Sequence, residues 1–252
     1  MKPEAPSASS RKDEDREILE QRVALLEAAL QARDAFLRVA THELRGPLAA
    51  IQLQADTISI LVNQGAAANE VVSRASRVSG QVQRLARLLE EVLDLARASS
   101  GRLQLLPGEV DLTTVVQDEL ARSREDLRRA GCEVSVDAGQ PLVGPWDQAR
   151  VEHIVAALLA VAIRSGNGTP VAVAVRASGG DAHVEVGWGG SGIAEPQVAL
   201  VHGEFEAAVT RAAPGANILA LWLAARVAQA HGGRLELTST SGLLALPLSR
   251  SR

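Results

Sequence analysis

The strongest constraint on this chain is a spacing. Leu19, Val23, Leu26, Leu30 and Leu37 fall on steps of 4, 3, 4 and 7, with Arg33 interrupting the seam and Ala40 and Leu44 continuing it. Leu48, Ile51, Ala55, Ile58 and Val62 make a second seam of the same kind, and the steps of four at 40, 44 and 48 form a stutter that locally unwinds a coiled coil. After a turn at "NQGAAAN", Val71, Ala75, Val78, Val82, Leu85, Leu89, Val92 and Ala96 repeat in unbroken 4-3 rhythm up to a glycine stop at "SSG". Two long helices with one apolar stripe each and a short connection predict an antiparallel hairpin. A single hairpin cannot bury both stripes, whereas two hairpins can, as a four-helix bundle, so a homodimer is expected.

Beyond "LQLLPGEVDL" the texture changes. A helix is predicted near 112–130, then a short strand "CEVSV", a loop "AGQPLVGPWD" and a helix near 147–164. "PVAVAVRA" and "AHVEVGW" alternate as strands; a helix near 217–230 closes at "HGG", and "RLELTST" and "LLALPL" read as two more strands. The fold class expected is α+β: the hairpin, followed by an α/β sandwich with helices over one sheet. The divisions expected are a disordered tail at 1–13, the coiled-coil extension and hairpin at 14–100, a linker at 101–110 and the sandwich at 111–252.

Composition narrows the function classes. Hydrophobic residues make up 46% of the chain but aromatics only 2%, with no Tyr, so the core must be aliphatic. A net charge of −4 gives no basic footprint for nucleic acid. The single Cys132 excludes an internal disulfide and a multi-cysteine metal site. His153, His183, His202 and His231 lack metal-ligand spacing and are expected at surface or turn positions; Trp146 and Trp222 are expected in the core. With no secretory signal and no apolar run long enough to cross a membrane, a cytoplasmic location is expected.

The first helix contains "VATHELRGPLAAIQ". His42 lies two residues from both Ala40 and Leu44, about 200° round the helix from each, so it is expected to face solvent. Pro47 lacks an N–H, and its ring presses on the carbonyl of Glu43, which predicts a bend beside the histidine. An imidazole next to a carboxylate is a nucleophile near neutral pH, with the acid available for its proton.

"FLRVATHELRGPL" followed by a helical hairpin closely resembles the phosphoacceptor box of bacterial sensor histidine kinases. The resemblance implies a dimeric hairpin, His42 as phosphoacceptor, Glu43 as assisting acid and Arg45 as a surface or inter-domain contact. Where the family usually has Thr or Asn this chain has Gly46, which puts dephosphorylation of a partner regulator in question. The rest resembles the family's ATP-binding domain: "GPWDQARVEHIVAALLAVAIRSG", "VEVGWGGSGI", "VHGEFEAAV" and "ANILALWLAARVAQAHGGRLEL" align with its asparagine helix, its D-x-G-x-G loop, its phenylalanine stretch and its second glycine loop. By that alignment the two asparagines are Ala157 and Val161, the nearby lysine is Arg164 and the tyrosine is Ser165. The adenine-binding aspartate is Trp188, and the glycines of the second loop are Ala216, Ile218 and Ala220. Ala and Val offer Mg²⁺ no oxygen, indole offers no acceptor, and side chains in place of glycine block close approach to phosphates. Gly190, Gly192 and Phe205 match the family.

These readings predict a phosphorelay protein in which His42 exchanges phosphoryl groups with the aspartate of a response regulator. ATP-dependent autophosphorylation is expected to be weak or absent, no cofactor is expected to be bound tightly, and Mg²⁺ would come from the partner receiver domain. The phosphoryl donor would be another phosphorylated protein or a partner histidine kinase. Two alternatives stand beside this reading: an active but divergent sensor kinase, and a pseudokinase scaffold that does not use its own histidine.

Overall fold

A computed structural model describes residues 8–65, 67–212 and 217–249; among helical residues some side chains, those of His42 and Glu43 included, lie outside the described set. Ala216 also lies outside it.

The hairpin is α1 (Ala8–Asn63) and α2 (Ala68–Ser99). α1 starts at Ala8 rather than near Glu14, inside the stretch expected as tail. α1 runs unbroken through Pro47, which is buried. α2 ends as its spacing predicts: Gly101 adopts φ +66°, its N–H reaches Ala98 O, and Arg102 N–H reaches back to Arg97 O at 2.8 Å.

The second region holds β1 (Gly108–Asp111), α3 (Leu112–Ala130), β2 (Val134–Ala138), β3 (Val143–Trp146), α4 (Gln148–Gly166), β4 (Val171–Ser178) and β5 (Asp181–Trp188). It continues with α5 (Glu195–His202), α6 (Phe205–Arg211), α7 (Ile218–Ala230), β6 (Arg234–Leu237) and β7 (Ser241–Pro247). The main sheet has the order β2-β4-β5-β7-β6; β2 runs parallel to β4 and the other pairings are antiparallel. β7, last in sequence among these strands, therefore sits between β5 and β6.

Two expectations need correction. The loop "AGQPLVGPWD" contains β3, which pairs with β1, and β1 itself starts within the stretch expected as linker. Pro145 and the short runs hid both strands; each needs only one partner, so Pro costs no ladder bond on the open side. The stretch 195–211, given no helix from sequence, forms α5 and α6, too short for a periodic pattern to stand out.

The domain core is aliphatic, as composition requires. Leu112, Ile154, Leu158, Leu159, Leu221, Leu244 and Leu246 are fully enclosed between α3, α4, α7 and the sheet. Trp146 and Trp222 are buried as expected; the Trp146 indole N–H donates to Pro247 O at 2.9 Å across 101 residues of sequence. The hairpin behaves differently. Leu19, Val23, Leu26, Leu30, Leu37, Leu48, Val82 and Leu89 all remain about half exposed or more, Leu26 at 66%.

Candidate functional site

The segment around His42 lies mid-way along α1. His42 and Glu43 belong to its helical backbone. Ala40 is buried, Leu44 half-buried, and Arg45 and Gly46 exposed. A Cβ placed on Gly46 would meet no heavy atom within 4 Å, so the missing side chain is not demanded by packing. Thr41 folds its hydroxyl onto Leu37 O at 2.7 Å, which keeps it on its own helix.

Six residues before His42, roughly 9 Å along the axis, Phe36 leaves the hairpin and enters the second region. It is 8% exposed, and its ring lies 5.8 Å from that of Phe205 on α6. Phe205 in turn packs on Trp222 of α7 at 5.0 Å, and the Arg226 guanidinium covers Trp222 at 5.2 Å. On α2, Asp94 is 2% exposed and forms an ion pair with Arg150 of α4. Arg97 approaches the same carboxylate at 3.5 Å. Burial pulls the Arg150 guanidinium below its ordinary value, and the Glu90 carboxylate opposes this. The sequence reading missed these contacts. The one signal was Leu95, an apolar residue off the α2 seam; the structure buries it together with Asp94.

Between α2, α4 and α7 lies a cleft of about 600 Å³. Ala157, Ala160 and Arg164 line it from α4, Ala220 and Ala224 from α7, Asn217 from the loop before α7, and Leu88 and Glu91 from α2. Three of the positions singled out by alignment, Ala157, Arg164 and Ala220, therefore come together here. Val161 and Ile218 do not line the cleft; they are buried in the core. Trp188 is 5% exposed, packs with that core, and its indole N–H finds no partner among the described residues.

The residue just before α7 is left-handed and is not glycine. Asn217 adopts φ +56°, which asparagine tolerates, and Ile218 begins the helix. Gly190 and Gly192 have a reason of their own. Both take positive φ, and a Cβ on Gly190 would lie 2.5 Å from Ser165 O while one on Gly192 would strike Ser239 O. Backbone packing thus explains these two glycines with no ligand involved.

Ala157 and Val161 carry no ligand oxygen, and no cluster of three His, Cys, Asp or Glu suited to a metal occurs among the described residues. The side chains at the aligned positions do not fit a metal–nucleotide complex held in the family's way. No described helix is long and apolar enough to cross a membrane.

His231, expected merely at a turn, is a joint. Its Nδ1 lies 2.9 Å from Val227 O and its Nε2 accepts the Asp147 N–H at 2.9 Å. Burial holds its pKa below the ordinary 6.5. Asp147 caps α4 through Arg150 N–H at 3.2 Å and also accepts Leu106 N–H at 2.7 Å.

Residues 32–101 match the His Kinase A (phospho-acceptor) domain, and residues 146–244 match the histidine kinase-, DNA gyrase B- and HSP90-like ATPase family. The "Probable sensor histidine kinase TcrY" of Mycobacterium tuberculosis is 34% identical over 230 residues, 85% of this chain and 46% of that protein. Sensor histidine kinase MtrB of Mycobacterium bovis is 29% identical over 245 residues, 93% of this chain and 42% of that protein. This chain thus spans less than half the length of these curated relatives. Among solved structures, Acinetobacter baumannii histidine kinase AdeS superposes with a TM-score of 0.55 at 19% identity, covering 82% of this chain and 98% of that one, a likeness of fold. The phosphoacceptor-type hairpin, the ATPase-type sandwich behind it and these relatives together place the chain in the two-component sensor histidine kinase family.

Proposed function

We propose that this protein works in a phosphorelay, with His42 exchanging a phosphoryl group with the aspartate of a response-regulator receiver domain. In the inward step the His42 ring nitrogen attacks phosphorus, the bond to the aspartyl oxygen breaks, and the ring proton passes to the Glu43 carboxylate. The reverse step returns both. The receiver domain supplies the Mg²⁺ that neutralises charge on the transferring group. Two chains join through the exposed stripe of α1 and α2, whose half-bare leucines favour a second copy.

The reading that ATP-dependent autophosphorylation is weak or absent goes with this. The observation that carries it is the chemistry of the cleft wall: alanine at 157 and 220, with Val161, Trp188 and Ile218 drawn into the core. The side chains at these five positions offer neither a metal ligand nor a base acceptor. A cytoplasmic protein phosphorylated by another protein, or by a partner kinase in a mixed dimer, fits that chemistry.

One observation favours a second reading, an active but divergent kinase. The cleft persists at about 600 Å³ with Arg164 and Asn217 on its lining, within the range of ordinary small-molecule sites. Calorimetric titration of the full chain with Mg·ATP, and with ADP free of metal, separates the two. The phosphorelay reading expects no heat up to millimolar nucleotide and label on His42 only when a phosphorylated receiver domain is supplied. Micromolar binding and label from ATP on His42 would establish the second reading instead.

A further inference from the structure

The main sheet ends on one side at β2, which pairs only with β4. Glu133 O accepts the Val171 N–H at 2.8 Å, so alternation along the strand turns the N–H and C=O of Val134 and Val136 the other way, out of the open edge. The same two residues line a groove of about 590 Å³ between β2 and α3, with Leu120 and Leu127 on its helix side. Val136 is 47% exposed, an apolar side chain on a strand whose outer backbone is bare. Such an edge is a template for one more strand.

Charge says what kind of strand. The charged residues lining the groove are Arg124 and Arg128, one turn apart on α3. Glu125 holds Arg128 at 2.9 and 3.0 Å, whereas Arg124 is exposed and forms no ion pair among the described residues. Glu133, Ser135 and Asp137 alternate with the valines onto the other face of the sheet, and all three are exposed. An added strand continues both faces. Its alternate side chains meet Val134, Val136 and Arg124 on one side and Glu133 and Asp137 on the other. The complement is a segment with apolar and acidic residues on one face and basic residues on the other. A second copy of β2 is not that complement: paired antiparallel about Ser135, two copies would set Glu133 opposite Asp137, like charge against like.

We propose that the β2 edge and the α3 groove bind an extended segment of a partner protein. Its apolar and acidic side chains face Val134, Val136 and Arg124, and its basic side chains face Glu133 and Asp137. The site is independent of His42 and of nucleotide, because no residue lining this groove lines the cleft between α2, α4 and α7.

The probe is a fluorescein-labelled peptide with blocked ends, Glu-Lys-Val-Lys-Leu-Lys-Glu, titrated with the full chain and read by anisotropy. Its control, Lys-Glu-Val-Glu-Leu-Glu-Lys, can match the edge by charge or by apolar contact but not by both, and should bind about tenfold more weakly. Strand addition uses alternate peptide amides, so N-methylating one alternate set should abolish binding and N-methylating the other should leave it. Val136→Pro deletes an outward N–H and no bond to β4, and should weaken binding at least about tenfold with the thermal midpoint unmoved. Arg124→Glu, on the exposed side of α3, should weaken it about fivefold and tests the same site should the proline unfold the strand. No binding at about 1 mM peptide, equal binding of the control, or wild-type affinity in both variants would overturn the proposal. So would loss with both methylated sets or with neither. A fall in self-association of Val136→Pro by sedimentation would give the edge to a second copy and overturn it too.

Discussion

The hairpin and the α/β domain solve the same problem, an apolar stripe in water, in opposite ways. The domain closes its stripes against one another: Leu158 of α4 and Leu244 of β7 are wholly enclosed, and nothing outside the chain is needed to cover them. The hairpin leaves Leu26, Val82 and Leu89 half bare, on the stripe through which two copies are proposed to join. The difference is between an element whose stability belongs to one chain and an element whose stability belongs to an encounter.

Four changes sharpen or break that contrast. Leu158→Ala empties part of a sealed core and is expected to cost about 2–5 kcal/mol, read by denaturant unfolding; the loss should not vary with protein concentration. On the hairpin, Val82→Asp with Leu89→Asp should weaken self-association on the order of a hundredfold, about 2.7 kcal/mol. Sedimentation would read this as monomer, with the domain's own unfolding midpoint unmoved. A wild type that sediments as a monomer at high concentration would erase the contrast. Asp147→Ala removes the cap of α4 and the tie to Leu106, and about 1–2 kcal/mol is expected, confined to the domain. The smallest effect is on pH dependence. Because burial lowers the His231 pKa in the folded domain, the unfolded chain takes up a proton first as pH falls below about 6.5. Stability of the domain should therefore decline from pH 6.5 downward until His231 itself protonates, and His231→Gln should flatten that decline in thermal melts.

Much of the architecture was legible because period survives in sequence. The hairpin, the glycine stop at Gly101, α3, α4, α7 and the five strands of the main sheet all follow from spacing and breakers. β1 and β3 were not legible, since four residues carry no period and β3 holds a proline as well, and α5 and α6 failed for the same shortness. Around His42, residue identity carried the reading, and the side chains of His42 and Glu43 lie outside the described residues. The cleft was half legible. Ala157, Arg164 and Ala220, singled out by alignment, line one cleft, but no local pattern foretells that Val161 and Ile218 turn into the core or that Asp94 crosses to Arg150. Such pairings join residues far apart in the chain, and only the folded geometry selects them.

The place of β7 has a consequence for how the protein is made. Because β7 lies between β5 and β6, and the Trp146 indole waits on Pro247, the sheet stays open at its middle until the strand at 241–247 has left the ribosome. The hairpin emerges first and needs none of it. At a synthesis rate of about 5–20 residues per second, neighbouring ribosomes on one message would hold finished hairpins beside unfinished sheets for several seconds. The pairing proposed for two copies would then precede the folding of the domains they carry, and would favour partners born from the same message.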